Sequence, residues 1–451
     1  MKLIFHIDVN SAFLSWTACG LLEEGGADDS ASCADLTQKN TPDPASDAAV
    51  NAPATTFPPT DIREIASVIG GSEKSRHGIV LAKSTLAKQY GIVTGEPLFQ
   101  ARRKCPSLVV VPPNYQLYVR KSDQLIRMLH EYTPLIQQYS IDEAWMDMTG
   151  IQEAQADPVG FATGLKDRIH RELGFTVNVG VSENKLLAKM ASDFEKPDKV
   201  HTLFPAEIPE KLWPLPVRDL LFLGKASEQR LLQEGIKTIG DMARSGEAEI
   251  KRILGEKTGH QLYRYANGID DSPVRAEREE AKGYSAETTV EEDLVTYEQA
   301  LALLLAQCDV VAARMRRDGK KCSCVAVTYR TLDFKTRSHQ RAFEDPTDVT
   351  EEIFVQVKKL LYECWKCEPL RLIGMALTDL TTDDFRQISL FENPEEREKQ
   401  KKADEAFDDI RRRFGNGMIV RGSTMSTAGK VARKAKAQMD QDVRTKKEKE
   451  K

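Results

Sequence analysis

Positive charge is what this chain lacks first. With 64 Lys and Arg against 69 Asp and Glu, its 451 residues carry a formal net charge of −5, so the whole does not advertise a polyanionic partner. A surface for a phosphate backbone would need a local concentration of Lys and Arg, which the second half provides. Cysteine is sparse: eight in a chain of this size do not make a disulfide framework. Cys322-x-Cys324 and Cys364-x-x-Cys367 could be read as a zinc site. The first pair would share a strand face and the second would end a helix, so reduced structural thiols are the favoured reading. No apolar run is long enough to span a membrane. The apolar stretch after Met1-Lys2 is short and ends in the charge of Asp8, which excludes a signal peptide and makes the cytoplasm the expected compartment. Large apolar residues are few from 24 to 60, where Ala, Pro, Thr, Ser, Asp and Gly dominate. That composition cannot offset ordering entropy and reads as a disordered surface insert.

What is present is globular: 41% hydrophobic, 29% charged, and long enough for three or four domains. Everything hangs from Tyr139-Ser140-Ile141-Asp142-Glu143-Ala144-Trp145-Met146-Asp147-Met148, an alternation of β-formers following two adjacent acids. Neighbouring carboxylates repel, and burying them costs several kcal/mol unless a cation compensates. A divalent metal held by oxygen ligands is the natural compensator. A second strand-like run, Leu3-Ile4-Phe5-His6-Ile7-Asp8-Val9, ends in another acid. Three carboxylates at the ends of two core strands make a two-magnesium site plausible, with metals roughly 3.5–4 Å apart clamping the two oxygens of a phosphoryl transfer.

Asp8-Val9-Asn10-Ser11-Ala12-Phe13, followed far downstream by Ser140-Ile141-Asp142-Glu143, resembles the Y-family translesion DNA polymerases, closest to their DNA polymerase IV (DinB-like) branch. The resemblance implies a multidomain α/β and α+β fold: a right-hand polymerase with palm, small fingers, helical helix-hairpin-helix thumb and ferredoxin-like little finger. It divides the chain into a palm at 1–10 and 114–203, fingers at 11–113 with the insert at about 24–60, and a thumb at 204–275. A linker at 276–283, a little finger at 284–382 and a tail at 383–451 complete it. By the same resemblance Asp8, Asp142, Glu143 and the Val9 carbonyl hold two Mg²⁺, and Phe13 is the steric gate against ribonucleotides. Lys196, in Lys196-Pro197, binds the triphosphate. Thr85 and Lys88 stand where the family has a Tyr-x-x-Arg pair; Lys88 keeps a charge without the bidentate fork, and Thr85 lacks the ring. Lys185 and Lys189 read as structural or DNA-facing, and His6 as a core strand residue.

The residues support that outline. Tyr115 to Tyr132 and Pro158 to Leu173 read as helices, the latter opened by proline, and Leu108 to Val111 and Phe175 to Val181 as strands: an α/β palm. Leu223-Gly224-Lys225-Ala226-Ser227 looks like a degenerate helix-hairpin-helix, with Phe222 in place of its first glycine; Gly224 and Lys225 are its DNA-binding candidates. Beyond the linker a β-α-β-β-α-β order emerges, the ferredoxin-like pattern. Its second hairpin strand carries Lys335, Arg337, His339 and Arg341 at spacing two, a basic stripe fit to track DNA; a solvated, charge-protected edge is the alternative. Gln387-Ile388-Ser389-Leu390-Phe391 resembles a sliding-clamp-binding peptide, anchored by Gln387, Leu390 and Phe391. Glu395 to Phe414 reads as a charged helix docking back on the enzyme, and a Lys-rich arm follows from about Thr424.

The expected function is therefore template-directed, low-fidelity DNA synthesis past damaged bases. Primer-template DNA, deoxynucleoside triphosphates and a clamp are the partners, and the enzyme is monomeric, cytoplasmic and nucleoid-associated. A non-catalytic Y-family adaptor is the main alternative. It is disfavoured because such proteins lose metal carboxylates and all three are present here. A palm-type cyclase shares the paired acids but has no use for the thumb motif or clamp peptide.

Overall fold

Residues Ile4–Val9 (β1) are buried along their whole length because they form the central strand of a five-stranded sheet. The structure, a computed structural model, describes residues 2–25, 61–71, 78–277, 280–383, 394–415, 418–419 and 421–422. The chain divides into two units, 1–70 with 80–278 and 279–451 with 71–79.

In the first unit, helix α1 (Ala12–Gly25) follows β1. Its Trp16 and Cys19 enter the palm core, while Leu14 and Ala18 pack against the fingers. The fingers hold β2 (Ser67–Gly70), β3 (Val80–Lys83), α2 (Thr85–Gln89), α3 (Leu98–Lys104) and β4 (Val109–Val111), with strand order β3-β2-β4. The palm resumes with α4 (Tyr115–His130), β5 (Ile136–Gln138), β6 (Glu143–Asp147), α5 (Gln152–Ala156) and α6 (Pro158–Leu173). It closes with β7 (Val177–Ser182), α7 (Lys185–Ser192) and β8 (Val200–Thr202). Helix α6 matches its expected span: the Asp157 side chain caps it, Pro158 fills its first turn, and Gly174 ends it at a φ of +78°.

The palm sheet runs β5-β6-β1-β7-β8, with β1 antiparallel to both neighbours and β8 parallel to β7. Helix α7 lies unusually close to β7. A Cβ on Gly180 would stand 1.8 Å from the Ala188 carbonyl oxygen and 2.6 Å from the Ser192 nitrogen. Only glycine permits that approach. Four thumb helices follow, α8 (Lys225–Gln233), α9 (Ile239–Arg244), α10 (Glu247–Leu254) and α11 (Glu256–Ala266), sharing a core with Leu186, Leu187 and Met190 of α7.

The second unit has the expected element order: β9 (Gly283–Leu294), α12 (Tyr297–Arg317), β10 (Lys321–Thr331), β11 (Thr336–Thr347), α13 (Thr350–Cys364) and β12 (Leu370–Thr381). Its sheet runs β11-β10-β12-β9, so each helical crossover joins two strands that flank a third, the split β-α-β arrangement. Helix α14 (Pro394–Phe414) does dock back, onto this unit, through charge. Arg316 bonds Asp408 at 2.8 Å and Asp404 at 3.3 Å, and Arg411 and Arg421 meet Asp309 at 3.2 and 2.8 Å. The insert beyond Gly25, the clamp-like peptide 387–391 and the Lys-rich arm lie outside the described residues. Among the described residues no helix is long and apolar enough to cross a membrane.

Candidate active site and nucleic-acid interface

The two segments that carry the acids meet at the sheet centre. Asp8 pairs across the ladder with Glu143, and the Val9 amide donates to the Asp142 carbonyl at 3.1 Å. Directly opposed residues of antiparallel strands share a face, so the Asp8 and Glu143 carboxylates point the same way. Asp142 sits in the turn before β6, and its carboxylate accepts from the Ser140 hydroxyl at 2.6 Å. Two lysines neutralise the pair. Lys196 Nζ stands 2.8 Å from both Asp8 and Asp193, and Lys189 Nζ 2.9 Å from Glu143.

Burial pushes the Asp8 carboxyl up to about 6, against the pull of Lys196 and with a push from Glu143. Burial draws Lys196 down, yet Asp8 and Asp193 outweigh it and hold the ammonium above the ordinary lysine range. His6 lies wholly buried under this group, its Nδ1 2.8 Å from the Ser192 hydroxyl and its Nε2 3.8 Å from Glu143. Burial first, then Lys189 and Lys196, hold the ring well below the usual histidine range, so it is neutral near pH 7. That fits a core role for His6.

Sequence reasoning undervalued Lys189. Read as structural or DNA-facing, it is buried and touches Glu143, with the Tyr139 ring 5.7 Å from its ammonium. Its position follows from the close approach at Gly180, which no residue-type rule reveals. The Asn184 side chain capping the start of α7 was the available local sign.

Phe13 stacks on Tyr118 with ring centroids 4.4 Å apart and planes 8° off parallel, and Tyr115 meets its edge at 6.0 Å. The Tyr118 hydroxyl is tied to Thr17 at 3.0 Å, which fixes the stack. In the fingers, Ser84 caps α2 by accepting from the Ala87 amide, and Thr85 and Lys88 project as exposed residues from that short helix.

The profile of the impB/mucB/samB family matches residues 53–193, that of its C-terminal domain residues 281–390, and a DNA polymerase-iota thumb-domain profile residues 218–270. DNA polymerase IV of Clostridium acetobutylicum is 41% identical over 420 residues, covering 93% of this chain and 97% of the relative. That of Moorella thermoacetica is 37% identical over 366 residues, 80% of this chain and 90% of the relative. The chain belongs to the Y family of DNA polymerases, in the DNA polymerase IV branch. DNA polymerase IV 2 of Bacillus subtilis, 34% identical over 378 residues, covers 82% of this chain and 90% of its own length. Among solved structures, a Y-family Dbh–Dpo4 chimera superposes with a TM-score of 0.64 at 19% identity, over 84% of this chain and all of that one. A Dbh ternary complex gives 0.53 at 20% identity, over 83% and 98%. Those likenesses establish the right-hand fold with its thumb and little finger.

Y-family polymerases are metal-dependent nucleotidyl transferases. Among the described residues no three His, Cys, Asp or Glu side chains already converge on one point. The lysines explain why: each carboxylate of the Asp8–Glu143 pair is engaged by an ammonium, and Asp142 turns to Ser140. The donor set still fits hard divalent cations, because carboxylate oxygens are hard ligands and the paired acids call for positive charge beside them, which the two lysines supply here. Zinc at the cysteines finds no support. Cys322 is wholly buried in the apolar core, and the Cys364 thiol donates to the Leu361 carbonyl of its own helix.

The Y-family DNA-binding candidates fall on two hairpins. In the thumb, Gly224 is the N-cap of α8 with open space where a side chain would be, and Lys225 follows exposed. In the little finger, Arg337, His339 and Arg341 share one face as their spacing requires. The register sets them opposite Tyr329, Val327 and Val325, core residues, so the stripe lies on the helix-bearing side at its exposed margin. There Arg337 meets Glu368 at 3.3 Å and Arg341 meets Glu363 at 2.7 Å, while Lys335 pairs with Asp333 at 2.7 Å in the turn. A DNA phosphate must compete with each carboxylate. Glu363→Gln with Glu368→Gln should therefore tighten duplex binding a few-fold at low salt, measured by fluorescence anisotropy. Unchanged or weaker binding would remove these arginines from the interface.

Proposed function

We propose that this chain carries out template-directed, low-fidelity DNA synthesis, extending primers past damaged template bases by two-metal nucleotidyl transfer. The observation that supports it most is the pairing of Asp8 with Glu143 across two central strands from distant segments, with Asp142 in the adjoining turn bonded through its carbonyl to the Val9 amide. Asp8, Asp142, Glu143 and the Val9 carbonyl would hold two Mg²⁺, which supply a lowered pKa at the primer 3′-hydroxyl and charge neutralisation at the leaving pyrophosphate. Lys196, held above the lysine range, stays cationic and exchanges Asp8 for the triphosphate. Lys189 keeps the Glu143 carboxylate aimed. Lys88 adds a point charge from the fingers, and Thr85 a hydroxyl. The Phe13 ring, fixed by its stack on Tyr118, lies against the sugar and excludes a 2′-hydroxyl.

Low discrimination is supported by the fingers, where helices of five and seven residues leave little surface to check the shape of a nascent pair. Gly224, Lys225, Lys335, Arg337 and Arg341 hold the duplex. Residues 387–391, through Gln387, Leu390 and Phe391, tether a monomeric enzyme to a sliding clamp on the nucleoid. Because the sequence retains all three carboxylates, the non-catalytic adaptor is not favoured.

Primer extension on intact and abasic templates, wild type beside Asp142→Ala, tests this reading. Extension with Mg²⁺ should cross the lesion, prefer deoxynucleotides, and fall on the order of 10²–10⁴-fold in the variant, the rate equivalent of several kcal/mol of lost charge stabilisation. An inert wild type that still binds duplex DNA would hand the case to the adaptor.

A further inference from the structure

Two phenylalanines occupy backbone that bulky residues avoid. Phe222 has a φ of +66° and Phe334 a φ of +62°, and both are largely in solvent, 57% and 65% exposed. A left-handed bulky residue is a steric outlier that surrounding structure must hold in place. Phe222 has the Tyr265 ring 6.2 Å away at its side, yet more than half of it stays in solvent. Phe222 is the third residue of a turn closed by the Leu223 amide donating to the Leu220 carbonyl at 3.0 Å, a position suited to glycine. Elsewhere in the thumb the left-handed positions are Gly235, Gly246, Gly255 and Gly268. Phe222 is the exception, and it stands two residues before the open Gly224 of the DNA-binding hairpin.

Phe334 stands at the tip of the β10–β11 hairpin beside Leu332, itself 47% exposed. The Arg371 guanidinium covers one side of its ring at 5.1 Å, and the other candidate cations, Lys335 and Arg337, begin within the next three residues. An apolar ring set among arginines and lysines is the composition of a surface that grips both the bases or sugars and the phosphates of nucleic acid.

We propose that Phe222 and Phe334 are DNA contacts. Each ring, held out by a backbone conformation that costs stability, presses on the apolar sugar and base edges of bound duplex DNA. The inference rests on the polymerase reading above and adds to it two residues that neither metal chemistry nor charge would select. Wedging apolar side chains against base steps is an established way for proteins to hold a duplex.

An apolar contact releases no counterions, so its loss weakens binding equally at every salt concentration, whereas losing a phosphate contact flattens the salt dependence. The full chain and its variants Phe222→Gly, Phe334→Gly and Lys225→Ala would be titrated against a fluorescein-labelled primer-template duplex at four salt concentrations, alongside thermal melts. Each glycine variant should melt a few degrees higher, since glycine accepts the left-handed backbone. Each should also bind about tenfold more weakly, with the slope of log Kd against log salt unchanged. Lys225→Ala should lower that slope. Should a glycine variant fail to fold, Phe222→Asn and Phe334→Asn, which also tolerate positive φ, carry the same test. Glycine variants that bind like wild type, or that change the slope, would overturn the inference while leaving the polymerase reading intact. A wild type that binds no duplex would overturn both.

Discussion

Gly180→Ala should lower the thermal midpoint of the palm by about 6–12 °C and cost most of the activity that survives at low temperature. The same substitution at Gly164 should leave the midpoint level or raise it. The added methyl is identical; the neighbours differ. At Gly164, inside α6, nothing lies within 4 Å of the new carbon, and alanine is the better helix former by about 1 kcal/mol. At Gly180 the new carbon would sit 1.8 Å from one backbone atom of α7 and 2.6 Å from another, neither of which can rotate away. Overpacking against movable side chains costs about 1–3 kcal/mol. Against backbone the whole helix must retreat, so about 3 kcal/mol is a lower bound.

The retreat has a chemical consequence. Helix α7 carries Lys189, 2.9 Å from Glu143, and Ser192, 2.8 Å from His6, and it leads into Lys196. Moving it misplaces both cations that neutralise the carboxylate pair. Primer extension at 15 °C, where circular dichroism shows the variant folded, should drop further than the folded fraction accounts for. Equal melts for wild type and Gly180→Ala would show that α7 does not rest on β7 as described.

Much of the candidate site was legible in the sequence, and the parts that were not escaped for two separate physical reasons. Asp8, Asp142 and Glu143 stood out as candidates because acids at the ends of otherwise apolar strand runs are conspicuous, and the ladder does set Asp8 opposite Glu143. Helix α6 could be read because Pro158 and Gly174 mark its ends chemically. Strand β9 was expected only from Val290 to Leu294 but begins at Gly283. Its inward residues there include Ala286 and Thr288, too small or polar to announce an alternation.

Lys189 and the acidic partners of the little-finger arginines were missed for a different reason. Their roles depend on which elements approach and in what register, and spacing along one strand does not carry that. Period two put Arg337, His339 and Arg341 on one face; only pairing with Tyr329, Val327 and Val325 says which face. Likewise the expected thumb motif lacked its first glycine, and only the backbone shows that Phe222 keeps the glycine's left-handed conformation.

Asp8→Asn should make the metal-free protein more stable while disabling it. Burial pushes the Asp8 carboxyl up to about 6, some two pH units above the 3.8 of a free aspartate. At about 1.36 kcal/mol per unit, the ionised side chain costs the fold about 3 kcal/mol at neutral pH. The sign follows from where the proton sits. Below pH 4 the carboxyl is protonated in both folded and unfolded chains, and the fold bears no penalty. Between pH 4 and 6 the unfolded chain ionises first, so stability falls as pH rises. Above 6 both states are ionised and the penalty is complete. Asparagine removes it, so the gain should be full at pH 7.5, about 6–12 °C in the palm transition, roughly halved near pH 5, and absent by pH 4.

Divalent cations should reverse the ranking. A metal that binds the folded site stabilises it by mass action, an advantage that the asparagine variant, short of a charged ligand, largely loses. Thermal melts of both proteins at pH 7.5, 5 and 4, with and without Mg²⁺, would show the crossing. If Asp8→Asn melts lower than wild type at pH 7.5 without metal, then Lys196 already compensates Asp8 in full, and its carboxylate holds no strain for a metal to relieve.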